Sequence, residues 1–99
     1  MLNITKNVEN GKAVIALEGR LDTVTSPELE TQFKEISDGL TDLTFDFENL
    51  EYVSSAGLRV LLAAQKVMSR QGTMRVTHVS EAIMDIFDVT GFSDILTIE

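Results

Sequence analysis

Ninety-nine residues with 43% hydrophobic and 24% charged side chains suffice for one core, so residues 1–99 are read as a single soluble domain. A formal net charge of −8 argues against nucleic-acid binding, which needs a basic face, and against adsorption to an anionic membrane. Without cysteine there is no disulfide and no thiolate metal site, and Met1-Leu2-Asn3-Ile4-Thr5-Lys6 has no signal-peptide pattern, so a cytoplasmic protein is expected.

Leu2 to Val8 alternates apolar and polar residues and predicts a half-buried strand. Asn10-Gly11 signals a hairpin turn, because both residues tolerate positive φ. Lys12 to Glu18 contains Ala13-Val14-Ile15-Ala16-Leu17, apolar on both faces, which predicts a central strand covered twice. Gly19-Arg20-Leu21-Asp22 ends that strand. Thr25-Ser26-Pro27-Glu28 opens a helix with Pro27 at its first position and Ser26 as N-cap; with Thr25 as cap, Glu28 completes a capping box. Leu29, Phe33, Ile36 and Leu40 form one apolar stripe, with Glu30, Thr31, Lys34 and Glu35 facing away and Gly39 as a stop.

Leu43 to Phe47 predicts the next strand. In the helix that follows, Leu58, Leu61, Leu62 and Met68 make the buried face, while Arg59, Ala63, Lys66 and Arg70 share the opposite stripe. This helix carries Arg59, Gln65 and Lys66 and falls far short of a membrane span. Gln71-Gly72 ends it. Thr73 to Val79 predicts a strand with Met74, Val76 and His78 on one face. Ser80 caps a third helix with Ile83, Ile86 and Phe87 inward and Gly91 as its stop, and Ile95 to Ile98 forms a short last strand. The order β-β-α-β-α-β-α-β predicts an α/β fold: a mixed sheet with an N-terminal hairpin and helices following the later strands.

Catalytic signatures are absent. His78, the one histidine, lies mid-strand and reads as structural. Ser54-Ser55-Ala56-Gly57 is not a nucleophile elbow, since Val53 stands where the first glycine belongs. No dinucleotide or P-loop pattern occurs. Asp85 with Asp88, and Glu48 with Glu51, read as solvated faces rather than metal ligands. No catalytic residue, metal or cofactor is expected.

The serine pair remains. A serine at a helix start is foremost a cap, worth about 1 kcal/mol, and Ser55 is assigned that role. Gly57 fits a cap alone less well, because glycine in a first turn costs up to about 1 kcal/mol relative to alanine; something there benefits from close approach. A helix N-terminus also accommodates a phosphate.

Gly19-Arg20-Leu21-Asp22 leading into Ser26-Pro27-Glu28-Leu29, Asp46-Phe47-Glu48-Asn49-Leu50, and Tyr52-Val53-Ser54-Ser55-Ala56-Gly57-Leu58-Arg59-Val60-Leu61-Leu62 together resemble the STAS domain, in particular its small bacterial members, the anti-sigma factor antagonists. The resemblance covers essentially the whole chain. It implies a non-enzymatic regulator of transcription and signal transduction. The unmodified form binds an anti-sigma factor that is also a serine kinase and so frees a sigma factor; phosphorylation ends the complex, and a metal-dependent serine phosphatase resets it. Carried across, the phosphorylated residue is Ser55.

Members commonly have an acid before the phosphoacceptor and Ser or Thr after it, where this chain has Ser54 and Ala56. Ser54 is therefore the second candidate acceptor. Members also usually continue past the last strand into another helix, expected here to be missing or replaced by a partner. The implied partner surface comprises Asp22, Ser54, Ser55, Ala56, Gly57 and Arg59. Two other readings use the same fold: an interaction module of a transporter or signalling assembly that is not phosphorylated, and a small-ligand or nucleotide binder at the second helix start.

Overall fold

A computed structural model describes residues 2–99. Strands β1 (Leu2–Glu9) and β2 (Lys12–Leu21) form the hairpin, with Asn10 and Gly11 at positive φ in the turn. Helix α1 (Ser26–Ile36), strand β3 (Asp42–Val53), helix α2 (Ser55–Gln71), strand β4 (Thr73–Thr77) and helix α3 (Glu81–Thr90) follow, and a 3-10 turn spans Phe92–Asp94. The sheet order is β1-β2-β3-β4, antiparallel in the hairpin and parallel from β2 onward. This is the mixed α/β sheet expected from the element order.

The helices cover one face of this sheet. Ala13, Ile15, Leu17, Leu43, Phe45, Phe47, Met74 and Val76 point into the core beneath them. Phe47 packs between Phe45 and Phe87, with ring centroids 6.2 and 6.3 Å apart, which ties α3 to the sheet centre. On the other face Val14 is 44% exposed, and its neighbours there are Asn7, Lys12, Thr44 and Asp42. Strand β2 is thus covered once, not twice. Val14 extends its apolar run because a β-branched residue suits a strand, not because a second layer covers it.

Several element boundaries differ from expectation. Helix α1 ends at Ile36, short of Gly39, so Leu40 is buried from the following loop rather than from the helix stripe. Strand β2 continues to Leu21 and β3 to Val53. The β3 extension is hidden in the sequence by two bulges: β3 advances from Asp46 to Asn49 while β2 advances from Ala16 to Glu18, and again from Leu50 to Tyr52 while β2 moves from Gly19 to Arg20. Each extra residue shifts the alternation, so Leu43, Phe45, Phe47, Leu50 and Val53 all reach the core without a period of two. The first bulge is clipped by Asp46, whose carboxylate accepts from the Glu48 N–H at 3.0 Å and lies 2.9 Å from His78 Nδ1. Partial burial raises the Asp46 pKa, but these two contacts outweigh it and hold the carboxyl below its ordinary value.

Strand β4 ends at Thr77; His78 turns out at φ 57° and is exposed, rather than continuing the Met74–Val76 face. Ile95 to Ile98 does not form a strand. A single parallel bridge links Ile98 to Val76, because the N–H groups of Ile95 and Leu96 still donate back to the Phe92 carbonyl, so the chain meets the sheet only near Ile98.

Candidate functional site

The C-terminal ends of β2 and β3 deliver two loops side by side. The Ser54 N–H donates to the Leu21 carbonyl at 2.8 Å, so the start of α2 is fastened to the end of β2. Ser54 is extended (φ −89°, ψ 175°) and its hydroxyl accepts from the Gly57 N–H at 3.3 Å. Ser54, not Ser55, is therefore the N-cap. Spacing alone could not choose between adjacent serines, because the choice depends on which residue has left helical dihedrals.

Ser55 is the first helical residue and is exposed. Its hydroxyl makes no hydrogen bond to another side chain or backbone group among the described residues. Gly57 is buried, and a Cβ built on it would lie 2.7 Å from Leu21 Cγ and 3.1 Å from the Leu21 carbonyl oxygen. The glycine lets α2 approach the end of β2, which is the close approach its placement in a first turn implied. Ala56 is half-buried and Arg59 exposed. They form one wall of a shallow groove of about 220 Å³ whose other wall carries Pro27 and Glu30 of α1.

The loop after β2 is locked by Asp22. Its Oδ1 accepts from the backbone N–H groups of Val24 and Thr25, both at 3.0 Å, and from the Thr25 hydroxyl at 3.1 Å. The buried Thr25 hydroxyl also accepts from the Asp22 N–H at 2.9 Å and lies 2.8 Å from the Arg20 carbonyl. Thr25 occupies the N-cap position of α1 without a side-chain cap bond, and the Ser26 hydroxyl donates back to the Asp22 carbonyl. Ser26 and Thr25 thus knot the loop rather than cap the helix. The Thr25 N–H is the main cause of a lowered Asp22 pKa; the Thr25 hydroxyl and Val24 N–H add to it and together outweigh the desolvation that would raise it.

This knot holds Val24, 81% exposed, at the loop tip. Sequence reasoning did not single it out, although the acceptor-rich run Asp22-Thr23-Val24-Thr25-Ser26 is the kind that ties side chains to local backbone. Close by in the chain, the Arg20 guanidinium lies 4.4 Å from the Tyr52 ring centroid across the second bulge. Of the residues read as a partner surface, Ser54, Ser55, Ala56 and Arg59 gather at the first turn of α2. Asp22 has its carboxylate engaged in its own loop, and Gly57 lies underneath, against Leu21.

The STAS domain pattern matches residues 3–99. The chain belongs to the STAS domain family. The anti-sigma-B factor antagonist of Staphylococcus aureus is 29% identical over 97 residues, covering 96% of this chain and 90% of that protein. Among solved structures, an anti-sigma factor antagonist from Mycobacterium paratuberculosis superposes with a TM-score of 0.89 at 22% identity, over 99% of this chain and 85% of that one. The anti-sigma factor antagonist SpoIIAA has been solved unphosphorylated and phosphorylated; its two forms superpose with TM-scores of 0.78 and 0.76, both at 17% identity, over 98% of this chain and 87% and 91% of theirs. These structural likenesses concern the fold. No helix among the described residues is long and apolar enough to cross a membrane.

Within this STAS domain the two serines separate by stability. Ser54→Ala removes the cap and is expected to cost about 1 kcal/mol, lowering Tm by about 4–8 °C, whereas Ser55→Ala stays within about 0.5 kcal/mol of the parent. Gly57→Ala gains up to about 1 kcal/mol of helix propensity but drives a methyl into buried Leu21, at about 1–3 kcal/mol, for a net loss in thermal unfolding. Because the Asp22 pKa is lowered on folding, its contribution is present above the unfolded value and lost as pH falls through the folded value. The Tm gap between wild type and Asp22→Ala is therefore widest near pH 6–7 and closes in acid below about pH 3.9.

Proposed function

We propose that this STAS domain is a bacterial, cytoplasmic anti-sigma factor antagonist switched by phosphorylation of Ser55. Unmodified, it binds an anti-sigma factor that is also a serine kinase and so releases a sigma factor. The kinase then transfers the ATP γ-phosphoryl group to the Ser55 oxygen, with ADP and the hydroxyl proton as the other products. A metal-dependent serine phosphatase restores the hydroxyl. The observation that carries this reading is the exposed, uncommitted hydroxyl of Ser55, free because Ser54 serves as the cap. The anti-sigma factor antagonists among its relatives support the class, and SpoIIAA supplies a family precedent for a phosphorylated form.

The switch follows from charge. Phosphorylation adds about −1.5 to −2 charges to a small neutral group at pH 7. In an interface packed against Ser55, a phosphate that meets no cation of the partner costs several kcal/mol, and each 1.4 kcal/mol is about tenfold in affinity. A hundredfold loss of binding therefore needs no rearrangement of the fold. Ser54, Ser55, Ala56 and Arg59 form the partner surface in this account, with Asp22 and Gly57 supporting it from within.

Incubation with the anti-sigma kinase and ATP, read by intact mass, is expected to add one phosphate to wild type and Ser54→Ala and none to Ser55→Ala. Phosphate that persists in Ser55→Ala and vanishes in Ser54→Ala moves the acceptor by one residue. No phosphate on either serine overturns the switch in favour of an interaction module that is not phosphorylated.

A further inference from the structure

We propose that Arg59 is the internal counter-ion of phosphorylated Ser55, so that modification withdraws from the partner surface the cation that the unmodified protein presents there. The inference rests on Ser55 as the phosphoacceptor. Arg59 lies four residues along α2 from Ser55, and both are exposed. Helix positions at this spacing share a face, with Cβ atoms about 5–6 Å apart, and an acidic group N-terminal to its basic partner is the favourable order. A guanidinium also meets a phosphate with two parallel N–H donors.

Arg59 is not otherwise engaged. Among the described residues, ion pairs involve Lys6, Lys34, Arg75 and His78 but not Arg59. Glu30, the acid on the opposite groove wall, lies 3.9 Å from Lys34. Residues 55–71 hold Arg59, Lys66 and Arg70 and no Asp or Glu, in a chain with 16 acidic residues overall. In the unmodified protein the first turns of α2 therefore offer an unpaired cation to an acidic group of the partner. A phosphate at Ser55 takes that cation, and the local charge changes from about +1 to about −1. The partner then meets both a new anion and a missing cation.

The test uses full-length protein carrying phosphoserine at position 55, installed during translation, with the second phosphate ionisation followed by 31P NMR. That ionisation lies near pH 6, and a neighbouring cation lowers it by favouring the dianion. Wild type is expected to titrate roughly 0.3–1 pH unit below Arg59→Gln, the smaller end reflecting solvent exposure. Arg59→Lys recovers part of the difference, and Lys66→Gln, farther along the helix, leaves the wild-type value unchanged. Identical titrations for wild type and Arg59→Gln, with equal melting temperatures, overturn the proposal. Because the phosphate is placed without a kinase, a failure of Ser55 to be the natural acceptor appears only in the mass measurement and leaves this titration intact.

Discussion

The seam between the end of β2 and the first turn of α2 constrains everything around it. A backbone hydrogen bond from Ser54 to Leu21 closes the seam, and Gly57 makes it possible by leaving no Cβ to collide with the Leu21 side chain. With the backbone pinned there, Ser54 adopts the extended conformation of a cap and points its hydroxyl inward to the Gly57 N–H. The next residue has no such task. Its hydroxyl faces solvent on a rigid turn, beside a loop knotted by Asp22 and Thr25. A kinase substrate site and a helix cap are usually competing explanations for one serine; here Ser54 takes the cap and leaves the Ser55 hydroxyl uncommitted.

Charge is segregated along the chain. Helix α2 carries only cations, while residues 79–99 carry Glu81, Asp85, Asp88, Asp94 and Glu99 and no Lys or Arg. A net charge of −8 therefore hides the cation that Arg59 brings to the proposed partner surface. A phosphate placed there reverses the local sign without touching the core. Regulation by charge suits a domain whose helices and sheet are tightly bound together, since the core need not be bistable for the surface to switch.

The helices were legible in the sequence because their apolar stripes act locally, although only at Ser80 did the expected side-chain cap form. Leu29 and Phe33 of α1, and Ser80, Ile83, Phe87 and Gly91 around α3, lie where spacing placed them. The hairpin was equally legible from Asn10-Gly11. Strand β3 was not, because its two bulges break the period of two, and the pairing that tolerates them depends on β2. The single-sided burial of β2 was hidden for a related reason: Val14 is apolar whether or not a layer covers it. His78 looked like part of a strand face, yet Asp46 draws it out to the bulge instead. Ser54, Ser55, Ala56, Gly57 and Arg59 lie together at one helix start, as their order in the chain implies, but which serine caps the helix required dihedral angles and distances.

In the proposed switch, phosphorylation of Ser55 acts as a local change of charge on an unchanged fold. Comparing backbone amide NMR spectra of the unmodified protein and the protein phosphorylated at Ser55 tests it directly. Shift changes confined to residues near Ser54 to Arg59 and the neighbouring loop from Asp22 to Thr25 are expected. Changes spreading through β4, α3 or the Phe45–Phe47–Phe87 packing would contradict it and point to a rearranged domain.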